Sequence, residues 1–328
     1  MSLLLIVFIA TALAFDFLNG FHNSANIVAT MISSRAMRPR QAMLLSAVAH
    51  FVAPFLFGTA VATTIGDAVV QPYASTVAVV MAALLAAIIW NLTTWFLGIP
   101  SSSSHALVGG LVGATIVGYG VDAIQLYGLL KIFAALLLSP LVGLVCGYVL
   151  MKLVLFLARG ASPRINLLFK RAQIFTALAL ALSHGTNDAQ KTMGVITMGL
   201  MGAGVLTRFR VPLWVIAASA GAISLGMSMG SWRIIRTLGG KFYRIRPVHG
   251  FTSQIASAAV ILGAALLGGP VSTTQVVSSA ILGIGSAERL SKVRWRVASQ
   301  ILTAWVLTIP ASGLLAALAY LIVRHVVV

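Results

Sequence analysis

Asn19-Gly-Phe-His-Asn-Ser-Ala-Asn26 lies inside an otherwise apolar stretch, and a second polar patch, His184-Gly-Thr-Asn-Asp-Ala-Gln-Lys191, lies inside another. Each is followed by a proline turn, Pro100-Ser-Ser-Ser-Ser-His105 after the first and Pro270-Val-Ser-Thr-Thr-Gln275 after the second. Gly20 matches Gly185 at an offset of 165 and Pro100 matches Pro270 at an offset of 170, so the chain carries one pattern twice. Polar groups are costly inside lipid, and two matched sets imply one central site built by two halves of a membrane protein.

Composition supports the membrane assignment. Of 328 residues, 59% are hydrophobic and 8% charged, and the mean hydropathy is +1.02. Soluble domains carry about 25% charged residues. The apolar runs are long and unbroken, which predicts helices and not the short alternating strands of a barrel. Residues 1–18 lack a basic leader and a small-residue cleavage site and are read as part of a first membrane helix. Cys146 is the single cysteine, which excludes a disulfide framework, and is read as a packing residue.

The net charge of +17 would suit a nucleic-acid binder, but the bases are gathered in short loops. Arg35–Arg40, Arg159–Arg171, Arg233–Arg246 and Arg289–Arg296 hold 16 of the 22 Lys and Arg. Basic loops beside membrane helices mark the cytoplasmic face and suit anionic lipid headgroups. No folded domain is left to present a groove to nucleic acid. The loop at Gly66–Pro72 holds no base and is assigned to the outside, as are both termini; Arg208, Arg210 and Arg324 run against this rule.

The expected fold is an all-α integral membrane protein. A first repeat over 1–158 and a second over 172–328 are joined by a basic cytoplasmic linker at 159–171. The first repeat is expected to cross at 1–34, 41–63, 74–97, 98–119 and 125–158, the second at 172–206, 211–229, 251–267, 268–287 and 297–325. Five crossings per half place the halves inverted, with breaks in the helices at Gly20 and Gly185 and hairpin-like half-helices meeting at the midplane.

The proline turns supply oxyanion chemistry. Pro100 can open a helix, because its missing N–H would be unpaired there anyway. The next turn then offers free backbone N–H groups and the hydroxyls of Ser101, Ser102, Ser103 and Ser104; Pro270 does the same with Ser272, Thr273 and Thr274. Two such termini aimed at one point suit a tetrahedral anion. Such hydroxyls can also bond back to their own helices. The other patches suit a cation or a transferable proton. Asp16 and Asp188 are the only acids inside crossings, and Asn19, Asn23, Asn26 and Asn187 offer amide oxygens. Lys191 is a counter-charge either for the substrate or for Asp188. His22 and His184 are candidate proton carriers, and equally candidates for satisfied buried histidines, as is His105. His50 and His249 are assigned to a helix interface and a basic loop.

Together the paired Asn-Gly and His-Gly-Thr-Asn-Asp patches and the Gly-x-Pro-x-Ser turns resemble the inorganic phosphate transporter (PiT) family, of the bacterial low-affinity phosphate permease type, over nearly the whole chain. The resemblance implies inverted repeats, a homodimer, and phosphate uptake coupled to sodium or protons. It assigns Asn19, Gly20, Asn26, Asn187 and Asp188 to the signature segments, and Ser102–Ser104 and Ser272–Thr274 to the turns. The phosphate set is then Ser101–Ser104, Ser272, Thr273, Thr274, Asn187 and Lys191. The cation-coupling set is Asp16, Asn19, His22, Asn23, Asn26, His184 and Asp188, with sodium possible at Asp16, Asn19, Asn23, Asn187 and Asp188. The family's first signature ends Asn-Asp-x-x-Asn, whereas this chain puts neutral Asn23 in the acid's place beside His22. Gln190-Lys191 stands where Ala-Asn is common, and Gln275 where His105 stands in the first turn.

Moving one negative charge inward costs about 2.3 kcal/mol per 100 mV, so dihydrogen phosphate needs two monovalent cations for net inward positive charge. The gain of His22 favours protons, with sodium the alternative. The chain is expected to need no cofactor and to offer its basic loops to a soluble regulator. A sulfate permease of the same architecture is the runner-up. An anion channel is less favoured, since the polar residues form two central layers and not a continuous lining. No G-x-S-x-G or H-E-x-x-H motif supports an enzyme, and no P-loop supports an ATP-driven pump.

Overall fold

The computed structural model describes residues 2–241 and 245–327; Arg244 and the side chain of Lys241 in the third basic cluster, and the side chain of Lys292 in the fourth, lie outside what is described. The described chain is helical, its one β contact being an isolated bridge between Val70 and Ile124. The same series of elements occurs twice. The first comprises α1 (Leu3–Ser33), α2 (Pro39–Leu56), α3 (Ala60–Asp67), α4 (Val77–Leu97), α5 (Ser103–Tyr119) and α6 (Leu126–Leu157). The second comprises α7 (Ile165–Gly202), α8 (Leu213–Met229), α9 (Trp232–Arg236), α10 (Pro247–Leu266), α11 (Thr273–Glu288) and α12 (Trp295–Val327).

Local chemistry sets the ends of these helices. Pro39 and Pro247 open α2 and α10, where a missing N–H costs nothing. Ser102 and Ser272 cap α5 and α11, each accepting from the backbone N–H three residues on. Gly58 and Gly230, with φ of 73° and 69°, supply the left-handed residues between α2 and α3 and between α8 and α9, where the pairs bend by 77° and 59°.

Among the described residues, six helices are long and apolar enough to cross a membrane, or up to eight if each bent pair is one span. About ten crossings were expected, some of them broken or half-length. The stretches 41–63 and 211–229 belong to the bent pairs. α5 and α11, with 17 and 16 residues, are only about 25 Å long, short of a 30 Å hydrocarbon core. Residues 165–171 of the expected linker form the opening turns of α7.

The expected breaks at Gly20 and Gly185 are absent: α1 runs unbroken for 31 residues and α7 for 38. Both glycines are packing positions. A Cβ on Gly20 would collide with the carbonyl oxygen of Ile223 on α8, and one on Gly185 would come within 2.9 Å of His50 Cα on α2. Small residues let helices cross closely in lipid, where packing and not hydrophobicity drives association.

The two halves interlock. α1 packs on α8 and α7 on α2, while α5 packs on α12 and α11 on α6. The richest apolar windows of α6 and α12 are only 28% and 22% buried, against 67% for α4, so α6 and α12 lie at the periphery, facing lipid. Two apolar clusters fill the interior. One joins the N-terminal half of α1 to the C-terminal half of α7, with α3, α4 and α5. The other joins the opposite halves of α1 and α7 with α10 and α11. The polar stripes of α1 and α7 lie between the two clusters.

Candidate anion and cation site

Asp16, Asn19, Asn23, Asn26 and Thr30 recur at three- and four-residue steps, so a continuous helix lays them along one face of α1. His184, Asp188 and Lys191 do the same on α7. All eight are buried.

Asp188 is the hub. Its carboxylate accepts from Lys191 Nζ at 2.5 Å, Asn23 Nδ2 at 2.8 Å and Thr273 Oγ1 at 3.1 Å. His184 Nδ1 lies 3.3 Å away. Lys191 also donates to the carbonyl of Val271 at 2.9 Å, and that carbonyl receives Ser104 Oγ at 3.1 Å. A single carbonyl just before α11 therefore ties the first turn of α5 to α7. Lys191, left between two partners by the sequence, pairs with Asp188.

The first turns of α5 and α11 converge on the α1 stripe. Ser103 Oγ donates to Asn19 Oδ1 at 2.6 Å, and Asn23 Nδ2 to the same oxygen at 2.7 Å. Thr274 Oγ1 donates to Asn23 Oδ1 at 3.1 Å and accepts from Asn26 Nδ2 at 2.9 Å. Because Ser102 and Ser272 cap their helices from within, Ser103, Ser104, Thr273 and Thr274 are the hydroxyls that reach across the site. An α-helix leaves the N–H groups of its first turn without internal partners. Two such turns brought together form a donor-rich cradle for an oxyanion.

Some predicted residues point elsewhere. Ser101 Oγ is bonded to Thr94 Oγ1 of α4 at 2.7 Å. The amide of Asn187 holds the loop before α11, donating to Gly269 O at 3.2 Å and accepting from Val271 N at 3.4 Å. It positions the loop and does not join the Asp188 cluster. His22 lies between Asn23 Oδ1 at 3.3 Å and Thr94 Oγ1 at 3.4 Å. His105 is bonded to the capping hydroxyl of Ser102 at 2.6 Å. His249 lies in the first turn of α10, where its ring caps the helix, and not in a loop.

Asp16 differs from every other member of the set. Both its oxygens are buried without a hydrogen-bond partner among the described residues, as are Asn19 Nδ2 and Thr192 Oγ1. Thr192 and Asn19 are its polar neighbours. Asn26 Oδ1 is buried without a partner as well.

Sequence reasoning missed three contributors. Thr192 gave no motif. Gln190 was noted only as a departure, yet its side chain accepts from the N–H groups of Val61 at 2.8 Å and Ala62 at 3.2 Å, capping α3 from α7. His50, assigned to a helix interface, does lie where α2 crosses α7, but its Nε2 also sits 3.1 Å from His184 Nδ1. The repeated polar pattern was the signal available for Gln190; His50 had none.

Comparison with known proteins identifies the family. The profile of the phosphate transporter family matches residues 19–162 and 158–316. The chain is 46% identical to a probable low-affinity inorganic phosphate transporter of Bacillus subtilis, over 99% of this chain and 98% of that one. It is 44% identical to one from Rhizobium meliloti, over 97% and 96%, and 45% identical to one from Mycobacterium tuberculosis, over 98% and 78%. The fold superimposes with a TM-score of 0.89 on a solved structure described as the sodium-dependent phosphate transporter, at 24% identity and covering 99% of this chain and 100% of that one. With a repeated, donor-rich site buried among apolar helices, the chain belongs to the phosphate transporter family, as a multi-pass cell-membrane transporter and not an enzyme.

Proposed function

We propose that this protein imports inorganic phosphate by cation symport, with protons as the coupling ion. Two inverted repeats would provide alternating access to the site between α1, α7 and the first turns of α5 and α11. The observation that carries the reading is the meeting at the Val271 carbonyl of Ser104 from the first turn of α5 and Lys191 from α7, just before the first turn of α11. In the conformation described, Ser103 donates to Asn19 and Thr273 to Asp188. An arriving phosphate takes over such donors, loosening α5 and α11 from α1 and α7. That exchange couples occupancy to the movement of one helix set against the other.

Asp16 is the proposed carrier of the coupling cation. A buried carboxylate that has only neutral Asn19 and Thr192 as hydrogen-bonding neighbours, with no ammonium tethered to it among the described residues, is held either protonated or with a cation. Protons are favoured over sodium by the state of the other oxygens. Asp188 already has a tethered ammonium, and Asn19 Oδ1, Asn23 Oδ1 and Asn187 Oδ1 all accept hydrogen bonds. Few of the oxygens first considered for sodium are left to bind it. His22 is the candidate second carrier, bordering the site through Asn23. The placement of the basic loops in the cytoplasm, their use by lipid headgroups or a soluble regulator, and a homodimeric assembly belong to the same proposal.

The test is radiolabelled phosphate uptake into proteoliposomes under separately imposed pH and sodium gradients. A pH gradient alone should drive accumulation. Asp16→Asn should abolish accumulation while leaving phosphate exchange between equal pools. Accumulation that requires sodium would reassign Asp16 to sodium.

A further inference from the structure

The orientation of each amide and imidazole around Asn26 follows from neighbours that can only accept. His50 Nδ1 lies 2.7 Å from the carbonyl of Ser46, so that nitrogen carries the proton and Nε2 accepts. His184 Nδ1 faces this acceptor at 3.1 Å and the Asp188 carboxylate at 3.3 Å, so it too carries the proton. His184 Nε2 is then an acceptor, and it takes Asn26 Nδ2 at 3.3 Å. A second series starts from Asp188. The carboxylate fixes Asn23 with its NH2 toward it, which leaves Asn23 Oδ1 to receive Thr274 Oγ1. With its hydrogen so used, Thr274 Oγ1 accepts from Asn26 Nδ2. Both series end at Asn26 with the same result. Its NH2 is held by two acceptors, one of them Thr274 in the first turn of α11, and its Oδ1 is left buried with no donor among the described residues.

We propose that Asn26 Oδ1 reads a proton on the substrate, so that the site takes tetrahedral oxyanions that keep an O–H group, phosphate and arsenate, and rejects sulfate. The proposal rests on the reading of the α5 and α11 turns as the anion site. Sulfate matches phosphate in shape, but near neutral pH it carries no hydrogen. Set against Asn26 it would bring two acceptors together and leave a buried carbonyl unpaired. Either protonation state of phosphate near neutral pH supplies the missing donor. Asn26 thus moves from the cation set to substrate recognition, with His184, His50, Asn23 and Thr274 as positioning residues.

Sites built to bond a substrate hydroxyl reject analogues lacking it by about ten-thousandfold or more at best. In wild-type proteoliposomes, arsenate should compete with labelled phosphate at comparable concentration. Sulfate should need at least about a thousandfold more. Asn26→Ala should weaken phosphate and arsenate by roughly ten- to a hundredfold and leave sulfate unchanged, so that the preference narrows. Stabilisation of the purified full-length protein against heat by phosphate, arsenate and sulfate gives the same ratios without transport. Sulfate competing within tenfold of phosphate in the wild type would overturn the proposal. So would an Asn26→Ala variant that weakens phosphate with the phosphate-to-sulfate ratio kept, or one that alters only the dependence on sodium or pH. Selective stabilisation by phosphate without any uptake would support this inference while overturning the transport mechanism.

Discussion

Removing the charge of Lys191 tests the hub of the site directly. Lys191 and Asp188 have side chains 2% and 0% exposed, with the ammonium 2.5 Å from the carboxylate. At that separation an effective dielectric of 20 gives a gross attraction of about 6–7 kcal/mol. Much of it is offset by desolvation of both ions, and removing one partner of a buried pair typically costs about 3–5 kcal/mol. Lys191→Met keeps the volume and loses only the charge, leaving Asp188 with Asn23, Thr273 and His184 as donors. The thermal midpoint of the purified protein should fall by roughly 5–15 °C, and phosphate uptake in sodium-free buffer should be lost. Asp188→Asn added to Lys191→Met should recover part of the midpoint, because no uncompensated charge is then buried. Lys191→Ala opens space among the Asp188 carboxylate, the Val271 carbonyl and Thr273 Oγ1. Sodium chloride, but not choline chloride, should raise its midpoint, since hard oxygens suit a small cation. A Lys191→Met protein within about 2 °C of wild type, with full sodium-free uptake, would refute the reasoning.

Gly20→Ala should destabilise by about 1–3 kcal/mol through overpacking at the α1–α8 crossing and cut uptake. Gly221→Ala, where a Cβ meets nothing within 4 Å, should be neutral or slightly stabilising in the same thermal and uptake assays. Ser272→Ala should cost about 1 kcal/mol in lost capping and reduce phosphate affinity, because the turn that aims Thr273 and Thr274 frays. A Ser272→Ala protein with unchanged phosphate affinity would separate the cap from the site.

Much of this protein was legible in contiguous residues. Long apolar runs forced helices in lipid, and the doubled motif put one site between two halves. Pro100 and Pro270 signalled two nearby helix starts, although each helix opens three residues later, after a capping serine, Ser102 or Ser272, and not at the proline itself. The stripe from Asp16 to Asn26 became a single helix face only once α1 proved continuous through Gly20. Other features were decided only when distant segments met. Gly20 and Gly185 looked like breaks, but each is a contact surface for a helix from the other half, and no local signal separates these uses. Lys191 had two possible partners until α7 was set beside Val271. Asp16 is unusual for what surrounds it and not for its sequence context. The direction of the Asn26 amide depends on Ser46, His50, His184 and Thr274, drawn from three separate stretches of chain. Sequence determined which groups are available and which helices present them. Tertiary structure decided which donors and acceptors are used up and which are left for substrate and ion, because hydrogen-bond satisfaction in a buried site is a property of the whole set of neighbours.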